Sequence, residues 1–231
     1  MTLNELTDQM LEAVRPEVHD DDVLDRRLIK ALIHNQRAVW IRNELNKNRE
    51  IPEQVIQDLG CVPLVDTDVS ECCDFTSGCL VRRTAAKIPI PIALHHREAI
   101  ERVGPALSNE KPFSIKSYKE ALFFGNSKFN SDNVATYRKN GYLYFVSKGS
   151  TLPLLTYVSV RIVASDPTQA AGFNHCTGGT CYNDDMEYPI TDWMWQYMKE
   201  HIVQELLRKG MVPNDIVNDA SHTSPTQNVS K

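Results

Sequence analysis

The stretch "VATYRKNGYLYFVS" (residues 134–147) predicts an antiparallel β-hairpin at the centre of the chain. Asn140-Gly141 supplies the two residues with positive φ that a type I′ turn requires, and the flanking residues are aromatic or β-branched. The stretch that follows, "LLTYVSVRIVAS" (154–165), alternates apolar with polar residues, which predicts a half-buried strand. These strands indicate a sheet in the middle of the sequence.

The same character extends outward from the hairpin as far as Cys61. Prolines divide this region into segments too short for helices, at positions 63, 89, 91, 105 and 112. Three segments are strand candidates: "CLVRRT" (79–84), "KIPIPIAL" (87–94) and "KPFSIKSY" (111–118). On the other side, "DPTQAAGF" (166–173) predicts one helical turn that starts at Pro167. Residues 61–185 are therefore predicted to form a β-rich insertion, a small sandwich or barrel.

The N-terminal flank, residues 1–60, is predicted to be helical. Thr2 and Glu5 form a capping box ahead of an apolar stripe, which predicts a short first helix that Pro16 interrupts or ends. A second helix, predicted to be the longest, begins near the acidic run 20–22 and continues for roughly 25 residues. The stretch "IPEQVIQDLG" (51–60) has Pro near its start and Gly at its end, which predicts a third, short helix.

The C-terminal flank, residues 186–210, is predicted to be one helix that packs with the N-terminal helices. Thr191 or Asp192 caps it, Gly210 ends it, and one stripe is apolar: Trp195, Met198, Ile202 and Leu206. Trp193 and Trp195 are interpreted as packed core. The predicted fold is therefore α+β, a helical body with a β-rich insertion and an extended C-terminal arm, residues 211–231.

Composition excludes several classes of function. The 231 residues carry a net charge of −5, which argues against binding to the phosphate backbone of nucleic acids. The longest apolar run is about one helical turn, too short for a membrane span, and the start of the chain has no secretory signal pattern. We therefore expect a protein that stays in the cytoplasm where it is made and has no membrane partner.

The six cysteines are the sharpest candidates for chemistry: Cys61, Cys72, Cys73, Cys79, Cys176 and Cys181. Their spacings, C-C-x5-C and C-x4-C, do not match the C-x2-C knuckle in which two thiolates reach one zinc ion. Buried free thiols are therefore favoured over a structural zinc site, and a zinc site over a lone disulfide.

Other polar clusters receive structural interpretations. The Gly pair in "HCTGGTC" (175–181) lacks the lysine of a P-loop and predicts a flexible turn. His95 and His96, near Glu98, would point to opposite faces of a strand, so they predict an exposed pair. The acidic group Asp184, Asp185 and Glu187 lacks the ligand spacing of an EF-hand and predicts a solvated turn. No nucleophile motif is present, so no catalytic residue, cofactor or metal is predicted.

Four stretches carry a resemblance to a known group of proteins. In order, they are "IPEQVIQDLGCVPLVDTDVSECCD" (51–74), "RRTAAKIPIPIALH" (82–95), "YPITDWMWQYMKE" (188–200) and "VPNDIVNDAS" (212–221). Together they resemble a structural protein of the crAss-like tailed bacteriophages, over roughly residues 1 to 220.

The resemblance implies a head–tail connector, a neck ring or adaptor of a short-tailed phage that infects a gut bacterium. It implies a closed homo-oligomeric ring, expected to be a dodecamer to match a portal, and no catalytic residues. The implied partners are the portal protein and other neck or tail rings, with packaged DNA only passing through. The implied location is the virion, after synthesis in the host cytoplasm. A β-rich insertion departs from purely helical adaptors.

The C-terminal arm is the predicted partner-binding element. Subunits of a cyclic ring meet through heterologous contacts, so an arm could lie in a groove of the next subunit or of the portal. Its apolar residues are Met211, Val212, Pro213, Ile216 and Val217. Beyond Ala220, the polar stretch "SHTSPTQNVSK" (221–231) is expected to be frayed. The alternative function is a small cytoplasmic domain that binds zinc or another ligand through its cysteines.

Overall fold

The computed structural model describes residues 1–15, 25–67, 80–106, 110–124, 132–173 and 183–210. The helices are α1 (Leu3–Val14), α2 (Arg26–Asn46), α3 (Tyr118–Leu122), α4 (Thr151–Leu154), α5 (Pro167–Ala171) and α6 (Asp192–Gly210). The strands are β1 (Gln57–Asp66), β2 (Leu80–Thr84), β3 (Ile100–Pro105), β4 (Ser114–Ile115), β5 (Ala135–Lys139), β6 (Tyr142–Ser147) and β7 (Tyr157–Ile162). Long helices thus lie at both ends of the described chain, with strands between them.

The first two helices begin where capping side chains satisfy their free amides. The Glu5 amide donates to Thr2 Oγ1 (3.1 Å) and the Thr2 amide to Glu5 Oε2 (2.9 Å), which confirms the capping box of α1. At α2, the Arg27 amide donates to Asp25 Oδ1 at 2.8 Å. The acidic run 20–22, the predicted start of the second helix, lies outside the described residues.

The helix predicted over 51–60 is wrong. Only Glu53–Val55 is helical, as a single 3₁₀ turn, and β1 begins at Gln57. The register of β1 against β7 shifts between Leu59 and Val62, so Gly60 and Cys61 form a β-bulge. The positions of Pro52 and Gly60 thus also fit a turn followed by a bulged strand, because glycine in a strand commonly marks a bulge.

Seven strands form one sheet in the order β3-β7-β1-β2-β6-β5-β4. Neighbours are antiparallel except β4 and β5, which are parallel. The two edges, β3 and β4, approach each other, and the Phe113 amide donates to the Val103 carbonyl at 2.7 Å. The sheet is therefore a nearly closed barrel, and the predicted α+β fold with a barrel insertion is confirmed.

The predicted strands agree with the structure to different degrees. The hairpin is confirmed, with Asn140 and Gly141 at φ of 54° and 87° and Lys139 paired with Tyr142. The strand after it and the turn from Pro167 are confirmed as β7 and α5, and "CLVRRT" as β2. "KPFSIKSY" yields only the two-residue β4.

The strand predicted for "KIPIPIAL" is wrong, because Pro89 and Pro91 have no amide to donate to a ladder. This segment makes only isolated bridges, Pro91 with Ala164 and Ala93 with Glu98.

Two principal hydrophobic cores fill the molecule, one among the helices and one inside the barrel. The apolar stripe of α6 packs against α1 and α2, as predicted, and Trp195 Nε1 also donates to Gln9 Oε1 of α1 at 2.8 Å. The barrel interior is filled by alternate residues of the strands, among them Leu59, Val103, Phe145, Val158 and Val160.

Arg37 joins the helical core to the barrel. This α2 residue is completely buried. Its guanidinium donates to three backbone carbonyls: Pro189 before α6 (2.8 Å), Ala164 after β7 (2.9 Å) and Val55 before β1 (3.1 Å). Burial lowers the pKa of Arg37 to about 10, while Tyr188 and Asp166 oppose that shift. One cation therefore fixes both strands that enter the helical body and the segment that leads into the last helix.

We predict that Arg37→Met destabilises the fold by about 2–4 kcal/mol. Each carbonyl that loses its hydrogen-bond donor costs roughly 1–3 kcal/mol of stability. Removal of the buried charge offsets part of this loss. Urea unfolding followed by far-UV circular dichroism measures the change. Arg42→Met is the matched control, since Arg42 is exposed on the same helix. A loss no larger than in that control would show that Arg37 does not hold the junction.

A second prediction concerns His34, which lies half-buried beside this junction. Its Nδ1 lies 2.8 Å from the Tyr188 hydroxyl. Burial lowers the pKa of His34, although Asp166 and Asp184 act against the shift. Because the folded pKa lies below the unfolded value, the unfolded chain binds more protons in the interval between them. Stability should therefore fall as pH drops below about 6.5, by at most about 1.4 kcal/mol per pH unit.

Urea titrations between about pH 5 and about pH 7.5 test this prediction. His34→Gln should flatten the dependence of the unfolding free energy on pH, whereas His201→Gln, on the exposed face of α6, should leave it unchanged. Equal slopes in the wild type and His34→Gln would contradict it.

Candidate assembly surfaces

The first exposed apolar surface lies on the helical body and is called the helical patch: Trp40, Trp193 and Tyr197. Because Trp195 and Met198 turn into the core, Trp193 and Tyr197 project from the other side of α6, 47% and 63% exposed. The rings of Trp193 and Trp40 of α2 meet edge to face, with centroids 4.8 Å apart. Core packing is thus confirmed for Trp195 and wrong for Trp193.

The second surface, called the barrel patch, consists of Val65, Leu154 and Tyr157. Tyr157 pairs with Pro63 on the neighbouring strand, and Val65 lies two residues further on the same face. Arg82 holds the preceding turn in place, donating from Nη1 to the Leu155 carbonyl at 2.6 Å. Leu154 is 79% exposed, more than any other large apolar side chain that the structure describes.

The two patches lie on different parts of the molecule. The first residue of β1 contacts the junction with the helices, since Gln57 Oε1 accepts from the Ala164 amide at 2.8 Å. Val65 lies eight residues further along this strand, roughly 26 Å away at the usual rise. The helical patch is carried by α2 and α6 beside the junction, since Trp40 follows Arg37 by three residues and Trp193 follows Pro189 by four. The chain therefore presents exposed apolar surface both beside the junction and toward the far end of β1.

The predicted polar clusters hold no metal site among the described residues. His95 and His96 are both exposed, as predicted. The acidic turn was only partly predicted: Asp185 and Glu187 are exposed, but Asp184 forms an ion pair with Lys30 of α2. Asp185 accepts a hydrogen bond from Asn4 Nδ2 at 2.7 Å. This turn therefore fastens the start of the chain to α2.

The cysteine prediction is corrected at one position. Cys61, expected to be a free thiol, is disulfide-bonded. Every other cysteine, and with them the "HCTGGTC" turn, lies outside the described residues.

The predicted partner-binding residues also lie outside the described part of the chain: Met211, Val212, Pro213, Ile216 and Val217. Sequence reasoning did not single out the two patches as sites. A signal was present for Tyr157, an aromatic residue on the polar face of an alternating strand. Leu154 had no such signal, because its exposure depends on the turn that Arg82 holds.

Within the described residues, no helix combines the length and the apolar character needed to cross a membrane.

Comparison with known proteins gives two matches. A family model described as "Phage tail ring protein 2" matches residues 5–228. The "Ring protein 2" of Bacteroides phage crAss001 is 24% identical over 231 residues, which cover 97% of this chain and 99% of that protein.

Proposed function

Because the chain belongs to the phage tail ring protein 2 family of the crAss-like phages, we propose that it is a ring subunit that joins the portal to the tail. The observation that supports this role is the presence of two separate exposed apolar patches, each of which contains an aromatic side chain. Contacts in a cyclic ring are heterologous, so each subunit needs two different surfaces. Trp and Tyr are also the side chains that dominate binding energy at interfaces.

In this proposal each patch is buried against a neighbouring subunit. The protein acts mechanically, without catalysis, as a component of the virion made in the host cytoplasm. The ring is expected to be dodecameric, with the portal on one face and another neck or tail ring on the other. The net charge of −5 would repel packaged DNA, which therefore passes through the lumen without binding.

The C-terminal arm is proposed to add a second kind of contact. Its residues Met211, Val212, Pro213, Ile216 and Val217 have apolar side chains that follow α6 directly in the sequence. Bound to a neighbouring subunit or to the portal, they would bury surface that they cannot bury in a core of their own.

Negative-stain electron microscopy tests the proposed role. The purified chain, alone and mixed with the portal protein of the same phage, should show rings that stack coaxially on the portal. Density for this chain between portal and tail in images of virions would agree. A chain that forms no ring and does not bind the portal would contradict the connector role.

Charged substitutions in the patches give a sharper prediction. Tyr197→Glu and Leu154→Glu should each reduce ring formation at least tenfold, because each places a carboxylate in a dry interface at a cost above about 1.4 kcal/mol. Ile90→Glu is the matched control, since Ile90 is 57% exposed but belongs to neither patch. Sedimentation velocity measures the oligomers.

The unfolding free energies of all three variants should stay within about 0.5 kcal/mol of the wild type, as expected for exposed sites. If Ile90→Glu impairs rings as strongly as the patch variants, the patches are not the interfaces. Wild-type ring formation by Tyr197→Glu would likewise remove the helical patch from the interface.

A further inference from the structure

The barrel has an opening between its two edges, beyond the point where they meet. The Phe113 amide joins the edges at Val103, but β4 ends at Ile115, whereas β5 continues to Lys139. The resulting cleft has a volume of about 530 Å³. This volume lies within the range of about 300–1,000 Å³ that is usual for ligand clefts. On its walls, β3 and β5 face each other without a strand between them.

Two buried polar atoms on β5 lack a partner at this opening. Thr136 and Arg138 pair with Phe145 and Leu143, which face the barrel interior, so their side chains point the same way. The Thr136 hydroxyl and Arg138 Nε are buried, and neither forms a hydrogen bond within the part of the chain that the structure describes. Buried donors of this kind normally have acceptors. An occupant of the cleft that carries hydrogen-bond acceptors would supply them.

The floor and rim of the cleft indicate the chemistry of its occupant. Ile100, Val103, Ile115 and Leu143 provide an apolar lining. On the rim, the Glu98 carboxylate pairs with Arg138 (2.6 Å), and Glu101 shares Arg161 with Glu53 (3.4 Å from Arg161 to Glu101). A third rim carboxylate, Glu120, accepts from the Ser117 amide at 3.1 Å.

Two rim cations are available for a ligand. Arg97 and Lys116 are exposed, and neither forms an ion pair with another described residue. The cleft therefore suits a segment that combines aliphatic side chains with carboxylates.

We propose that the cleft binds residues 211–219 of a neighbouring copy of this chain as an added strand between β3 and β5. The segment "MVPNDIVND" has the required composition, since in an extended strand Val212 and Ile216 would share the face toward the apolar floor and Asp215 and Asp219 the opposite face, toward the two rim cations. It contains no Lys or Arg that the cations would repel. Its carbonyls would accept from the edge strands, the mode of β-strand addition. This assignment rests on the proposed ring.

The direction of α6 favours exchange between subunits. The start of α6 lies at the junction with the barrel, where Arg37 binds the Pro189 carbonyl. Its 19 residues span about 28 Å. The arm therefore follows α6 about one helix length from the junction, and in the proposed ring we expect it to reach the cleft of a neighbouring subunit.

Photo-crosslinking of the full-length chain tests the assignment. The photoreactive residue p-benzoylphenylalanine replaces Ile216, and chains labelled with ¹⁵N are mixed with unlabelled chains before irradiation. Mass spectrometry should find crosslinked peptides of mixed isotope composition that join residue 216 to segments 97–103, 113–118 or 134–138. Crosslinks confined to one chain, crosslinks to other segments, or no crosslinks at all would overturn it.

A charge reversal provides the matched comparison. Lys116→Glu should reduce the yield of these crosslinks at least fivefold, because it opposes Asp215 and Asp219. Lys119→Glu should leave the yield unchanged, since Lys119 is exposed on α3 outside the cleft. Equal yields in the two variants would contradict the rim contact.

Micrographs of the same samples separate this inference from the proposed function. Rings without crosslinks at the cleft would refute the arm assignment and leave the ring intact. Crosslinks at the cleft without rings on the portal would refute the connector role and leave the arm contact.

Discussion

The buried cation of Arg37 is the interaction on which the arrangement of this protein depends. Its hydrogen bonds within the described residues go to backbone carbonyls of three segments that are far apart in sequence but meet at one point of α2, and the Tyr188 ring lies 5.9 Å from the guanidinium. A salt bridge would have tied α2 to a single side chain. Backbone acceptors instead fix the path of the main chain where the barrel leaves the helices, where it returns, and where the last helix begins. The helical core and the barrel core therefore meet at one orientation.

Local chemistry made much of the fold predictable. The Asn-Gly turn requires two positive φ values and permits little else, and a capping box defines a helix start within one residue. The prediction failed where a single signal has two structural meanings. Pro52 and Gly60 fit a helix and a bulged strand equally well, and the choice is made by pairing with β7, which a local pattern does not contain. The composition of "KIPIPIAL" favoured a strand, but its prolines lack the amide donors that a strand needs.

The assembly surfaces were harder to foresee than the fold. A stripe analysis of α6 separates Trp195 from Trp193 by helical position, but it does not say whether another element covers the second ring. That depends on where α2 lies, and among the described residues α2 contributes one aromatic neighbour, Trp40, while Trp193 stays 47% exposed. Membership of the family was indicated by longer stretches of sequence, and the family model matches residues 5–228. The opening in the barrel depends on β4 being only two residues long, a property set by the tertiary fold around it.

The barrel departs from the helical body and rejoins it at adjacent points, because Val55 and Ala164 both bind the same guanidinium. Topologically it is a module inserted into a helical protein, with its entry and exit held next to each other by Arg37. Insertions or deletions in the loops at its outer end would leave the helix packing untouched. During evolution, such a module can change its reach and its binding specificity while the helices keep the geometry of the ring.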